Sequence, residues 1–259
     1  MLSAGIDVGA KTVKIAAVEG GKLIGRALAP AGHDAAAAVR GAWSELGALR
    51  GRVEALAAVG AGRRGVEGAD GYVSEAAAAA RGAFALFPEA RVVIDVGFED
   101  GRAVKLGAAG KAVDFAANEK CAAGAGAFVE SMARALEVSP GELGRMSLAA
   151  QGGAAMNAQC VVFAESELVG LLHAGVPKPD IARAVHEAIA ERVASMTRRA
   201  GMAGKAVLIG GLARNVGFVQ ALNAGLGAEA TVLDDPEFVS ALGAALLAAE
   251  GGLAPEISD

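Results

Sequence analysis

Hydrophobic and polar positions follow two different periods along the chain, and the strand-like period occurs twice in the same arrangement. Two pairs of apolar runs with β propensity are each joined by a glycine-rich turn and predict two hairpins, at residues 13–18 and 23–28 and at residues 102–106 and 111–115. The tetrapeptide Ile-Asp-Val-Gly precedes each hairpin, at residues 6–9 and 94–97, an offset of 88 residues (94 − 6). The pattern therefore predicts a duplicated unit of strand, turn and hairpin.

Helical spacing is clearest in residues 179–200, where apolar side chains recur every three to four positions before Gly201. Ser139 followed by Pro140 and Glu142 has the form of a capping box at a helix start. The remaining periodic segments predict helices at 34–49, 126–138 and 216–226, with a short strand at 206–209. Strands that alternate with helices predict an α/β protein in two similar halves, residues 1–90 and 91–237, with a C-terminal helix at about 238–250 that packs back on the first half.

Composition excludes several classes of protein. Of 259 residues, 54% are hydrophobic and 20% are charged, so the chain has the composition of a folded protein. The formal net charge of −5 and the 4% of aromatic residues argue against a nucleic-acid partner. The most apolar stretches, 76–87 and 241–249, are too short for a membrane span, and the N-terminal residues have no signal-peptide pattern. We therefore expect a cytoplasmic protein with no membrane partner.

Each Ile-Asp-Val-Gly segment places a carboxylate and exposed backbone N–H groups at a strand end, an arrangement that can hold a metal–phosphate group. A single copy is more often an ordinary strand exit, but two copies at the heads of two matching hairpins favour the functional interpretation. Asp7 and Asp95 are therefore the candidate catalytic carboxylates.

Three segments, in this order along the chain, resemble the phosphate-1, phosphate-2 and adenosine motifs of the actin/hexokinase/Hsp70 (ASKHA) superfamily: residues 7–14, 93–99 and 208–213. The resemblance implies a duplicated ribonuclease-H-like fold that binds Mg²⁺ and ATP or ADP in a cleft between its halves. It implies that Asp7 and Asp95 flank Mg²⁺ and its waters and that Lys14 balances phosphate charge. The other residues it assigns to the nucleotide are Gly9, Lys11, Thr12, Gly97, Gly210 and Gly211.

The two cysteines, Cys121 and Cys160, lie 39 residues apart (160 − 121), a spacing that fits no zinc or redox CxxC motif. Each precedes a segment that predicts a helix start, and a helix N-terminus lowers the pKa of a nearby thiol. Free cysteine is also among the most buried residue types. The cysteines on their own thus leave open both a cluster and a structural role.

Residues 118–126 and 159–167, which contain these cysteines, resemble the two cysteine motifs of activator ATPases of 2-hydroxyacyl-CoA dehydratases, a family that includes the ATPase subunits of benzoyl-CoA reductase. The resemblance extends from residue 5 to about 249. It implies a homodimer, or a paralogous heterodimer, in which Cys121 and Cys160 of both subunits bind one 4Fe-4S cluster, with Gly124 and Gly126 between cluster and nucleotide. It also implies a reduced ferredoxin or flavodoxin as donor and a 2-hydroxyacyl-CoA dehydratase or aryl-CoA reductase as partner.

The chain departs from the activator pattern after the second Asp-x-Gly, where the family has Gly-Gln and this chain has Phe98 and Glu99. A carboxylate at Glu99 could still orient water, whereas Phe98 restricts the approach of backbone to phosphate. The following Gly101-Arg102-Ala103 is more similar to the benzoyl-CoA reductase branch. The departure at Phe98 and Glu99 bears on ATP turnover, and the similarity at Gly101-Arg102-Ala103 bears on the choice of partner.

Two other functions remain compatible with the Asp-x-Gly motifs. One is a small-molecule kinase of the same superfamily, for example an amino-sugar kinase with structural cysteines, and the other is a nucleotide-gated assembly protein without cluster. His33, His173 and His186 form no metal pattern. The Gly60–Gly65 loop with Arg63 and Arg64 is interpreted as a solvated turn.

Overall fold

The computed structural model describes residues 1–118, 124–156 and 161–254. It contains two five-stranded mixed sheets built in the same way. The first comprises β1 (Leu2–Val8), β2 (Thr12–Glu19), β3 (Lys22–Pro30), β4 (Ala55–Val59) and β5 (Gly71–Tyr72). The second comprises β6 (Ala90–Val96), β7 (Gly101–Leu106), β8 (Ala112–Ala117), β9 (Lys205–Ile209) and β10 (Ala230–Val232).

The two sheets have equivalent strand orders, β3-β2-β1-β4-β5 and β8-β7-β6-β9-β10. In each, the first three strands along the chain form an antiparallel meander and the last two pair in parallel. Gly20 and Gly21, at the first hairpin turn, adopt positive φ and let the hairpin close tightly. The predicted duplication of strand, turn and hairpin is therefore confirmed.

Eight helices accompany the sheets in the described part of the chain: α1 (Ala35–Leu46), α2 (Glu75–Leu86), α3 (Ala125–Ala135), α4 (Pro140–Ser147), α5 (Val161–His173), α6 (Lys178–Ala200), α7 (Val216–Leu226) and α8 (Val239–Ala249). The predicted α6 and α7 agree with the structure within one residue. The predicted helix at 34–49 is shorter, because Gly47 at φ 53° ends α1 and a 3₁₀ segment follows. The predicted capping box is present, with Ser139 and Glu142 bonded reciprocally.

Apolar side chains that alternate along the central strands bury both faces of each sheet. In the second sheet, Ile94 packs with Phe128 of α3 and Ile189 of α6, whereas Val93 faces Ala80 of α2. Helix α6 buries its apolar stripe here because its residues recur with the helical period. The second sheet is therefore a layer between two helical layers.

The first sheet is covered by α1 on one face and by α8 on the other. Trp43 of α1 packs with Ile6, and Leu246 of α8 packs with Val18. Helices α2 and α8 also pack against each other, so the two sheets are joined by this central pair. The predicted division of the chain at residue 90 stays a prediction. Helix α2 precedes that boundary in the sequence but packs against the second sheet.

Candidate functional site

A cavity of about 400 Å³ lies between the two halves, where the central strands β1 and β6 end. Strand ends of this kind expose loop N–H groups and polar side chains together, which suits a phosphate-bearing ligand. Most residues predicted for nucleotide or catalysis line this cavity: Asp7, Gly9, Lys11, Thr12, Lys14, Asp95, Gly97, Glu99, Gly126, Gly210 and Gly211. The structure thus brings these residues together in one cleft, and their individual roles in nucleotide binding or catalysis stay predictions.

The first carboxylate of the cleft, Asp7, lies directly opposite Lys14 in the β1–β2 ladder. The Lys14 Nζ atom is 3.1 Å from Asp7 Oδ2, and both side chains are mostly buried, at 14% and 16% exposure. Burial raises the pKa of Asp7, and the positive charge of Lys14 opposes that rise. Lys14 thus keeps a buried carboxylate available as an anion.

The second carboxylate, Asp95, has the equivalent position opposite Arg102 in the β6–β7 ladder. Arg102 donates from Nη1 to Asp95 Oδ2 at 2.9 Å, and its Nη2 lies 2.9 Å from Glu75 Oε2. Glu75 is the first residue of α2, whose N-cap is Ser74. The planar guanidinium therefore bridges a cleft carboxylate and the central helix pair, which a lysine ammonium cannot do with the same fork geometry.

Glu75 is itself a cleft residue. It lines the cavity between the halves, and burial raises its pKa while the charge of Arg102 opposes the rise. Its position in the first turn of α2 is favourable for a carboxylate because the helix N-terminus carries partial positive charge. Buried Asp95 and half-buried Glu75 thus share one arginine, and removal of that arginine would take an ion-pair partner from both.

Two glycines that follow parallel strands, the floor glycines, lie directly against the cleft carboxylates. Gly60 follows β4 and Gly210 follows β9, with φ of 94° and 90°. A Cβ atom at either position would lie under 3.0 Å from the carbonyl oxygen of Val8 or Val96. It would also lie 2.8 Å from Oδ1 of Asp7 or Asp95. Glycine is required here for the backbone conformation and for close approach to each carboxylate.

The interpretation of the Gly60–Gly65 loop as a solvated turn is therefore wrong for Gly60, which is buried beside Asp7. The signal that could have located it is the duplication itself. Val59-Gly60 ends β4 as Ile209-Gly210 ends β9. Without that comparison, a lone glycine in a Gly-Arg loop carries no such signal.

The loop after β6, residues 97–100, is bonded to the start of α3. Gly126 N–H donates to the Gly97 carbonyl at 3.2 Å, and Ala127 N–H donates to the Phe98 carbonyl at 2.9 Å. Gly124 lies against the same loop, since a Cβ there would meet the backbone of Phe98 and Glu99. Glu99 itself is exposed at the cavity edge. The start of α3 and this loop therefore form one hydrogen-bonded unit.

The other end of the cavity has a recess between α4 and the segment after β9. Pro140 and Gly141 of α4 line the cavity, as do Leu212 and Arg214 after β9. Arg214 is fixed by Glu237, with Nε donating at 2.9 Å to Oε2 and Nη2 at 2.7 Å to Oε1. Apolar lining residues and a held guanidinium suit a flat heterocycle.

Cys121 and Cys160, the predicted cluster ligands, lie outside the described residues. The helices that follow them, α3 and α5, contact each other, and Ser131 of α3 donates a hydrogen bond to Glu165 of α5. Across residues 1–118, 124–156 and 161–254, no group of three or more His, Cys, Asp or Glu side chains has a metal-binding arrangement. Nor does any helix in these ranges combine the length and apolar character of a membrane span.

The sequence patterns predict no role for Glu75 or for Arg102. Arg102 carried a usable signal, because it follows Asp95 by seven residues as Lys14 follows Asp7. In both hairpins that offset places the cation directly across the ladder from the carboxylate. Glu75 had no such signal, since its place beside Arg102 depends on how α2 packs on the second sheet.

Solved structures with the same architecture define the class of this protein. The fold matches component A of the (R)-2-hydroxyglutaryl-CoA dehydratase of Acidaminococcus fermentans, with TM-score 0.91, 33% identity and coverage of 97% of this chain and 98% of that one. It also matches the activator of 2-hydroxyisocaproyl-CoA dehydratase from Clostridium difficile with bound ADPNP, with TM-score 0.89, 32% identity and full coverage of both chains. A glucokinase of the ROK family from Streptomyces griseus, 16% identical with TM-score 0.59 over 97% of this chain and 100% of that one, shares the fold alone. The molecule is an actin/hexokinase-like α/β protein with two similar halves, as predicted.

The chain belongs to the BadF/BadG/BcrA/BcrD ATPase family, whose model matches residues 4–248. It is 37% identical to the 2-hydroxyisocaproyl-CoA dehydratase activator of Clostridioides difficile over 80% of this chain and 77% of the relative. It is 35% identical to the activator of lactoyl-CoA dehydratase of Anaerotignum propionicum, covering 96% and 98%. One of the benzoyl-CoA reductase subunits of Thauera aromatica is 33% identical over 64% and 61%. The family predicted from the cysteine and phosphate motifs is confirmed.

Proposed function

We propose that this protein is a cytoplasmic, ATP-dependent activator that passes single electrons to a 2-hydroxyacyl-CoA dehydratase, with an aryl-CoA reductase as the other partner class. Its ATPase family and the names of its relatives support this activity. A reduced ferredoxin or flavodoxin would be oxidised by one electron, the partner would be reduced by one electron, and ATP would be hydrolysed to ADP and phosphate.

The observation that carries the proposal is the direct bonding between the loop after Asp95 and the start of α3. The N–H groups of Gly126 and Ala127 donate hydrogen bonds to the carbonyls of Gly97 and Phe98. Gly126 follows Cys121 by five residues in the sequence. A loop that moves with the nucleotide phosphates would therefore move the segment that carries Cys121. A short hydrogen-bonded connection of this kind can couple ATP to an electron carrier.

The carboxylates, the cations and the glycines of the cleft would each have a different role in nucleotide binding. Asp7 and Asp95 would hold Mg²⁺, which prefers carboxylate oxygens and waters. Lys14 and Arg102 hold these two carboxylates in place by direct ion pairs. Gly60 and Gly210 leave the space beside each carboxylate that a larger residue would fill. The chemistry of this donor set therefore fits a magnesium nucleotide.

Cys121 and Cys160 are the proposed cluster ligands. A 4Fe-4S cluster normally takes four thiolates and this chain has two cysteines, so a cluster requires two subunits. When bound, the cluster supplies a one-electron carrier. The contact between α3 and α5, which follow the two cysteines along the chain, is compatible with ligands that act together.

The kinase alternative has only the fold in its favour, because the glucokinase match is 16% identical. The relatives above 30% identity that carry a functional name are dehydratase activators and a reductase subunit. We therefore place the electron-transfer function first.

Iron and sulfide content after anaerobic reconstitution tests the proposal. We expect about four irons per dimer in the wild type and none in a Cys121→Ser, Cys160→Ser double variant. Asp7→Asn is the matched control, because it changes the nucleotide cleft and should keep the iron. Equal iron in the wild type and the double variant would contradict the ligand assignment, and a wild type without iron would contradict the electron-transfer function.

A further inference from the structure

Three charged or aromatic side chains meet at the rim of the nucleotide cleft. Lys11, in the loop after β1, forms an ion pair with Glu130 of α3. The same ammonium lies 5.2 Å from the ring centroid of Phe98, in the loop after β6. All three residues line the cavity. Lys11 thus links the first half of the molecule to α3.

The ammonium of Lys11 is held but remains accessible. Its side chain is 49% exposed and that of Glu130 is 28% exposed. Nucleotide phosphates carry several negative charges, and a lysine can reorient its three N–H donors to reach them. A phosphate group at this rim therefore competes with the Glu130 carboxylate for the same cation.

The competition for Lys11 would change the contacts of helix α3. Its first turn is bonded to the loop after β6, its Glu130 reaches the loop after β1, and its Ser131 bonds to Glu165 of α5. Helix α3 thus contacts the loop after β1, the loop after β6 and also α5, the helix that follows Cys160. Release of Glu130 would remove one of these restraints and leave the others in place.

We infer that Glu130 is an internal competitor of the nucleotide phosphates for Lys11, so that nucleotide binding breaks the Lys11–Glu130 ion pair and frees α3 from the first half. This inference rests on the proposed nucleotide function and adds a residue that tunes affinity. Phe98 holds the ammonium beside Glu130 by a cation–π contact. The aromatic departure from the family pattern at Phe98 thereby acquires a role.

Calorimetric titration with Mg-ADPNP tests the inference in a double-mutant cycle. Glu130→Gln should bind about two- to fivefold more tightly than the wild type, the range of a partly exposed ion pair, and this gain should shrink as salt rises. Lys11→Met should bind more weakly. Adding Glu130→Gln to Lys11→Met should then change affinity little, because Glu130 acts through Lys11.

Glu187→Gln is the matched control, since it breaks the surface pair of Glu187 with Arg183 on α6 away from the cavity, and it should bind as the wild type does. An equal gain from Glu130→Gln with and without Lys11 would contradict the inference and indicate a general charge effect. Unchanged or weaker binding in Glu130→Gln would also overturn it. Loss of nucleotide binding in every variant, wild type included, would instead contradict the proposed function.

Hydrogen exchange supplies a readout that a purely structural role would not move. In the wild type, amides of α3 should exchange faster when Mg-ADPNP is added, because the Glu130 restraint is lost. In Lys11→Met the restraint is absent from the start, so the nucleotide-dependent increase should be missing. An identical increase in both proteins would overturn the inference.

Discussion

The two Asp-x-Gly units of this molecule are alike in the carboxylate and the glycine beside it, and they differ in the side chains that pair with the carboxylates. Asp7 and Asp95 have the same ladder partner position, and Gly60 and Gly210 have the same conformation beside them. Behind the carboxylates, however, Lys14 pairs with Asp7, whereas Arg102 pairs with Asp95 and with Glu75 of α2. Duplication has kept the geometry that faces the ligand, and divergence has occurred in the groups that connect it to the fold.

The difference extends to the loops that follow. The loop after β6 is bonded through its backbone to α3, while the loop after β1 reaches α3 through the side chain of Lys11. A backbone connection is stiff, and an exposed ion pair is weak and easily exchanged. The second half is therefore joined to α3 through its backbone, and the first half is joined to α3 through a partly exposed ion pair.

Alanine at the two floor glycines should have the largest effect and should act equally in both halves. Gly60→Ala and Gly210→Ala each force a Cβ against a backbone carbonyl at positive φ, so we expect each to lower the free energy of unfolding by about 3 kcal/mol. Gly20→Ala is the control, because its φ is 58° but nothing lies within 4 Å. It should cost about 1 kcal/mol in the same denaturant titration. A floor variant no worse than this control would break the equivalence of the halves.

Removal of either carboxylate charge tests the equivalence at the ligand. Asp7→Asn and Asp95→Asn should each reduce ATP hydrolysis by about 100-fold, since both carboxylates are the proposed Mg²⁺ ligands. The measurement is phosphate release under excess Mg-ATP. Asp114→Asn, on the exposed edge strand β8, is the matched control and should keep wild-type activity. A large loss for one aspartate and none for the other would show that only one half acts on the metal.

Arg102→Lys sharpens the difference between the halves. A lysine can replace one contact but cannot bridge Asp95 and Glu75, so one partly buried acid is left unpaired. We expect a loss of about 1–2 kcal/mol in the free energy of unfolding by denaturant. Arg183→Lys, at the surface pair with Glu187, should change it by less than about 0.5 kcal/mol. If the two variants behaved alike, the bridge would contribute nothing.

The smallest effect concerns pH. The pKa of Asp7 is raised by burial, so magnesium binding should be complete above that raised pKa and should be lost as pH falls through it. For stability the sign is opposite, since a raised carboxyl pKa favours the folded state at low pH and the advantage is lost as pH rises through the folded pKa. Lys14 lowers the pKa of Asp7, so Lys14→Met should move the loss of Mg-ADPNP binding to higher pH in calorimetric titrations. A move to lower pH would contradict this account.

Local patterns predicted the hairpins, the duplicated Asp-x-Gly units, helices α6 and α7 and the capping box, because each depends on residues close in sequence. The motif order also identified the family. Contacts between distant segments escaped prediction. The Arg102–Glu75 bridge depends on α2 packing against the second sheet, and the Lys11–Glu130 pair joins residues 119 positions apart. The predicted cluster ligands, Cys121 and Cys160, stay predictions.

We expect nucleotide in the cleft to change the surroundings of the cysteine-bearing segments through α3. The most direct measurement is the EPR spectrum of the anaerobically reconstituted, reduced protein before and after addition of Mg-ADP and Mg-ADPNP. We expect the wild-type spectrum to change with each nucleotide and the spectrum of the Asp95→Asn variant to stay constant. Identical wild-type spectra in all three conditions, with nucleotide binding verified by calorimetry on the same sample, would contradict the account.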